Sequence, residues 1–172
     1  MSKRLSILDR ALWLTENKHN PKHVAGFHLM TMPDNADKNY CTKLVSDAKK
    51  HTQAFYPFDC RVVSFFRLAI SLKKVESLDM DYHVKHHKIA DVNDMQALHK
   101  FAAKLHEPML DRDKPLWQMH VIEDKKGKQF AIYFTIHHIY GDGASLVKWF
   151  QESYQSEPSD DFVPAWATQR TK

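Results

Sequence analysis

Gln129-Phe130-Ala131-Ile132-Tyr133-Phe134-Thr135-Ile136-His137-His138-Ile139-Tyr140-Gly141-Asp142-Gly143 is the stretch on which the fold turns. Side chains alternate along an extended chain, so Phe130, Ile132, Phe134 and Ile136 share one face. Ala131, Tyr133, Thr135 and His137 share the other. Both faces are mostly apolar, which predicts a strand buried on both sides. Burying an imidazole costs free energy unless its nitrogens find partners, so a strand ending in His137-His138 points to a purpose. Gly141 and Gly143 permit backbone conformations closed to other residues. Asp142 stands where a helix begins, and its carboxylate can cap that helix at the positive end of the dipole. The result is a strand–turn–helix with a histidine at its corner. An imidazole titrating near about 6.5 can act there as a general base. The plain alternative is a capping Asp beside two satisfied core histidines. The doublet with Asp-Gly at fixed spacing favours function over that alternative.

Upstream, Asp124-Lys125-Lys126-Gly127-Lys128 joins this strand to another over 116–123, which predicts a hairpin. Downstream, Leu146, Val147 and Phe150 predict a helix over 144–155. Ser6 and Asp9 have capping-box spacing, with a helix expected over 6–17. Residues 23–32 read as a strand, 36–53 as an amphipathic helix and Phe55–Phe58 as an aromatic turn. Residues 61–72, rich in β-branched and aromatic side chains, read as one strand. Residues 78–90 read as irregular, and Asn93 or Asp94 caps a helix carrying Leu98, Phe101, Ala102 and Leu105. Residues 111–115 form a polar loop, and the tail from Ser156 reads as a linker. The mixture of strands and helices predicts an α/β (α+β) fold, a two-layer mixed-sheet sandwich.

The 172 residues include 25 Lys and Arg against 21 Asp and Glu, a net charge of +4 without a basic run. No nucleic-acid motif accompanies that excess, so nucleic acid is not an expected partner. Cys41 and Cys60 form no Cys-x-x-Cys pair, and two free thiols in a reducing cytoplasm are the simpler reading. No apolar run approaches the roughly 18–20 residues of a membrane span. The 12 histidines are many for this length. His83, His86 and His87 lie close together, but a zinc pair needs its i, i+4 histidines on a helix or with Cys or carboxylate partners, and this stretch does not read as helix, so no metal is expected. They read as surface or locally structural residues.

His137-His138-x-x-x-Asp142-Gly143 resembles the HHxxxDG signature of the CoA-dependent acyltransferase superfamily. Leu5-Ser6-Ile7-Leu8-Asp9, His23-Val24-Ala25-Gly26, Asp81-Tyr82-His83-Val84 and residues 105–117, ending in Pro115-Leu116-Trp117, narrow it. Together they resemble the bacterial wax ester synthase/acyl-CoA:diacylglycerol acyltransferase family. The resemblance implies one half of a chloramphenicol acetyltransferase-like fold, with residues 1–155 as the N-terminal domain and 156–172 leading to a C-terminal domain. It implies transfer of a fatty acyl group from acyl-CoA to a long-chain alcohol or diacylglycerol, with acyl-CoA as substrate and no cofactor. It implies His138 as the catalytic histidine, His137 as its less essential neighbour, and Asp142 and Gly143 as structural. Asp142 would order the turn through backbone N–H groups or an arginine. Ala144 is expected to border the substrate channel, with Pro115, Leu116 and Trp117 shaping it or packing in the core. The expected location is cytoplasmic, peripheral on the inner membrane or on lipid inclusions. This half alone is expected to be inactive. The rival readings are a condensation-type acyltransferase on carrier-bound acyl groups and a non-catalytic half needing its partner domain.

Overall fold

The computed structural model describes residues 3–125, 128–154 and 162–169, with backbone only for Lys3 and Arg4. In chain order the elements are β1 (Lys3–Arg4), α1 (Ile7–Thr15), β2 (His23–Thr31), α2 (Tyr40–Lys50), β3 (Cys60–Phe65) and β4 (Leu68–Lys74). Then come α3 (Met80–His83), β5 (Val84–Ile89), α4 (Met95–His106), β6 (Trp117–Asp124), β7 (Gln129–His137) and α5 (Gly143–Ser153).

The expected start signals operate. The Ser6 hydroxyl accepts from the Asp9 N–H at 3.1 Å, and the Ser6 N–H donates to the Asp9 carboxylate at 2.9 Å. Asp94 caps α4 by accepting from the Ala97 N–H at 3.0 Å. Two expectations need correction. Residues 61–72 are not one strand but parts of β3 and β4, folded back on each other through Phe66 and Arg67. No Gly or Asn marks the turn, so the run of β-formers reads straight through it. Residues 78–90 are not irregular. Asp79 caps the short α3, and β5 follows, parallel to β6. The histidines hid that strand because hydrogen bonds, not an apolar pattern, satisfy them: His86 to Glu123 at 2.7 Å and His87 to His120 at 3.0 Å.

Two sheets result, a three-stranded one in the order β1-β4-β3 and a four-stranded mixed one in the order β2-β7-β6-β5. Strand β7 is central and buried along nearly its whole length. Phe130, Ile132, Phe134 and Ile136 join the main core, which also takes in α2, α5 and the three-stranded sheet. Ala131 and Tyr133 face the opposite side, where α4 lays Leu98 and Ala102 on a second core. The tail read as linker contributes to the main core: Trp166 is fully buried, stacks on Trp117 and donates to the His51 carbonyl. Residues 155–161, and with them the charged part of that tail, lie outside the described residues, as do Lys126 and Gly127 of the hairpin loop. Among the described residues no helix is long and apolar enough to cross a membrane.

Candidate active site

The end of β7 separates the two histidines. His137 is fully buried, and its N–H donates to the Leu116 carbonyl at 2.9 Å. Its Nδ1 accepts from the Ile139 N–H at 3.0 Å, which leaves the ring proton on Nε2. That Nε2 faces Oε1 of Glu16 at 3.4 Å. His138 turns the other way and is half-buried. Its N–H donates to the Lys22 carbonyl at 2.9 Å. Its side chain lines an open cleft of about 290 Å³ with Leu5, Asp9, Tyr56, Tyr140 and Ser145 among the other walls. One histidine is thus a strut and the other is presented to a ligand-sized space.

Glu16 holds this arrangement together. Its Oε1 also accepts from the Lys22 N–H at 3.1 Å, and its Oε2 takes two donors from Arg112, at 3.2 and 2.9 Å. Arg112 reaches on to the Trp13 carbonyl at 2.8 Å and lies over the Trp13 ring, 3.9 Å from its centre. Burial pushes the Glu16 carboxyl up, but His137, the Lys22 N–H and Arg112 outweigh it and hold it down at about 2. Lys22 therefore binds Glu16 through its N–H and His138 through its carbonyl, so one carboxylate faces the His137 ring and, through Lys22, steadies the His138 backbone.

The turn beyond is equally fixed. Asp142 caps α5 by accepting from the Ser145 N–H at 2.8 Å. The Ser145 backbone and hydroxyl hold its carboxyl below the usual range, with His138 adding to the effect. Of the two expected ways to order the turn, the backbone bond is the one observed. Tyr140 is buried, accepts from the Leu116 N–H at 3.1 Å and donates to the Cys60 carbonyl. Burial pushes its phenol strongly up, so it stays a donor.

The glycines differ from expectation, because neither lies in the left-handed region. At Gly141 a Cβ would come within 2.7 Å of the Trp149 ring and 2.9 Å of the Ser145 Cβ, so close approach requires glycine there. At Gly143 the space is open.

His137, His138, Asp142 and Gly143 lie on one turn between β7 and α5. Ala144 stands exposed on the first turn of α5, outside the residues that wall the cleft. Pro115, Leu116 and Trp117 are buried. Trp117 stacks on His83 with ring centres 4.2 Å apart and donates to the Phe58 carbonyl at 3.0 Å, a core role rather than a channel wall. His83 is fully buried, not on the surface, and bonds the Trp117 carbonyl at 2.8 Å. No group of His, Cys, Asp or Glu among the described residues is placed to hold a metal ion. Glu16 and Tyr140 carried no signal in sequence, since one reads as a helix-end residue and the other as one more core aromatic. Arg112 lay inside the quoted 105–117 segment without an assigned partner.

Residues 5–172 match the model of the wax ester synthase/diacylglycerol acyltransferase catalytic domain. The O-acyltransferase WSD of Acinetobacter baylyi is 30% identical over 156 residues, 90% of this chain and 33% of that protein. A probable diacylglycerol O-acyltransferase of Mycobacterium tuberculosis is 26% identical over 159 residues, 91% of this chain and 35% of that one. The chain spans about a third of the length of these relatives. Among solved structures, the wax ester synthase/diacylglycerol acyltransferase of Marinobacter aquaeolei VT8 superposes with a TM-score of 0.85 at 26% identity, over 95% of this chain and 40% of that one. The first condensation domain of the calcium-dependent antibiotic synthetase shares the fold, with a TM-score of 0.62 at 16% identity.

Proposed function

The chain belongs to the wax ester synthase/diacylglycerol acyltransferase family, and from that premise we propose that it is the base-bearing part of an O-acyltransferase. It serves transfer of a fatty acyl group from acyl-CoA to a long-chain alcohol or to diacylglycerol. The observation that carries this reading is the placement of His138, anchored by its own backbone and open to the cleft.

His138 takes the proton of the acceptor hydroxyl as that oxygen attacks the thioester carbonyl. The tetrahedral oxyanion collapses, the carbon–sulfur bond breaks, and the protonated His138 returns its proton to the CoA thiolate. No covalent enzyme intermediate is needed, and a base so placed contributes about 10²–10⁴-fold. The buried His137 holds the turn, and Asp142 holds the start of α5. The second wall of the cleft, and with it the CoA site, belongs to the remaining two thirds of the relatives' length, so this part alone is inactive. An acyl-CoA donor and lipid acceptors favour a cytoplasmic location, peripheral on the inner membrane or on lipid inclusions.

The test is CoA release from palmitoyl-CoA with hexadecanol or dioleoylglycerol, measured with and without a C-terminal portion of the family supplied in trans. Activity that requires the added portion and vanishes in His138→Ala supports the reading. Full activity in His138→Ala would falsify the base assignment.

A further inference from the structure

The outer side of the β3–β4 hairpin combines exposed aromatic side chains with cations. Val62, Ala69 and Leu72 turn inward and are buried. At the tip Phe65 and Phe66 are 67% and 84% exposed, with Leu68 and Ile70 exposed behind them. The two rings contact each other edge to face with centres 4.4 Å apart. Both central residues of the turn have positive φ, 44° at Phe66 and 66° at Arg67. Such a turn favours Asn-Gly, and a bulky residue there carries backbone strain. The sequence keeps an aromatic and a cation at that cost. From Cys60 to Val75 the chain bears Arg61, Arg67, Lys73 and Lys74 and no carboxylate. Lys74 is shared with Asp59 at 3.4 Å.

Aromatic side chains settle at the boundary between lipid headgroups and acyl chains, and flanking cations meet anionic phosphates. A seam within a protein would instead be depleted of charge at its centre. We propose that this hairpin docks the protein on an anionic lipid surface, with Phe65 and Phe66 entering the headgroup layer and Arg67 and its neighbours pairing with lipid phosphates. The inference adds a surface to the acyl-transfer reading, and its test does not depend on catalysis.

Co-sedimentation with vesicles of phosphatidylcholine and phosphatidylglycerol, against phosphatidylcholine alone, measures it. The chain is expected to bind the anionic vesicles in preference, and less as salt is raised. Phe66→Asn/Arg67→Gly installs the unstrained turn. It should melt higher than the parent yet bind anionic vesicles about tenfold more weakly, a single cation being worth about fivefold at such a surface. His138→Ala should bind like the parent, which separates failure of docking from failure of the catalytic reading. Unchanged vesicle binding by the turn variant overturns the proposal, as does equal binding to both vesicle types. Loss of self-association in that variant without loss of vesicle binding makes the tip a contact between copies. Protection of the hairpin amides from hydrogen exchange by an added C-terminal portion makes it an internal seam. Either outcome overturns lipid docking.

Discussion

The Nε2 of His137 lies 3.4 Å from Oε1 of Glu16, and neither side chain reaches solvent. This pair joins the end of α1 to the end of β7, the strand that presents His138. Glu16→Gln keeps an acceptor of the same shape but removes the charge that Arg112 and the Lys22 N–H address. The expected outcome is a fall in kcat of up to about 100-fold, the scale of a displacement of roughly 1 Å at a reacting group. KM should change little. Glu16→Ala leaves the Arg112 guanidinium short of its partner and should cost about 3–5 kcal/mol of folding stability. Steady-state kinetics of the complemented enzyme and urea unfolding separate the two effects. An unchanged kcat in Glu16→Gln would remove its positioning role.

Ala144 is the residue on which sequence and structure say different things. The motif suggested a channel wall, whereas the side chain stands exposed beyond the cleft formed by this chain. A second wall supplied by the rest of the enzyme would enclose it. Ala144→Phe should then leave the melting temperature of this chain unchanged, since the ring projects into open space. In the complemented enzyme it should shift the acyl preference toward shorter chains. Product chain-length profiles from mixed acyl-CoA pools check this, and an unaltered profile removes Ala144 from the channel.

Elements specified by local chemistry were legible in the sequence. The alternation from Phe130 to His137 identifies a strand buried on both faces, and Asp142 does cap the helix that follows. The Ser6–Asp9 box and the Asp94 cap were equally direct. What escaped depends on contacts distant along the chain. Phe66-Arg67 breaks a strand without a turn residue because the surrounding sheet stabilises an unfavourable backbone. Strand β5 escaped because its histidines are matched by Glu123 and His120, more than thirty residues away. Glu16 and Arg112 are separated by 96 positions, and no periodicity links them. The histidine doublet could be read as a unit, but which ring faces the cleft and which is buried is decided by Glu16 and Lys22.

Three of the buried histidines, His23, His83 and His120, give the fold an acid-sensitive side. Burial holds His23 and His83 down at about 4 and His120 at about 3, against an ordinary 6.5, with His106 and His87 adding to the effect at His23 and His120. As pH falls below 6.5 the unfolded chain takes up these protons while the folded chain does not. The unfolded state then binds more protons, so stability present above that pH is progressively lost toward about 4. Glu16 adds a further loss at lower pH, between its ordinary 4.5 and about 2. The urea midpoint should be flat above neutrality and drop steeply on acidification. His83→Gln should be less stable at pH above 7, where the loss of stacking and of the Trp117 bond costs about 1–3 kcal/mol. Its pH dependence should be shallower than that of the parent. An equal slope in the two proteins would rule out His83 as a contributor.

The two glycines of the turn should respond oppositely to the same substitution. Gly141→Ala places a methyl 2.7 Å from the Trp149 ring and 2.9 Å from the Ser145 Cβ, on the residues that shape the start of α5. Relief requires moving either the indole or the turn, with a cost of about 1–3 kcal/mol typical of overpacking. Because His138 and Asp142 sit on the same turn, kcat should fall with stability. Gly143→Ala meets nothing within 4 Å, and Gly143 is the first residue of α5. There the substitution restricts the unfolded chain without strain and should stabilise by about 0.4–1 kcal/mol. Thermal unfolding of the two single variants decides the matter. A destabilised Gly143→Ala would mean that the motif's second glycine is needed for its backbone, and a tolerated Gly141→Ala would mean that Trp149 can yield without disturbing the turn.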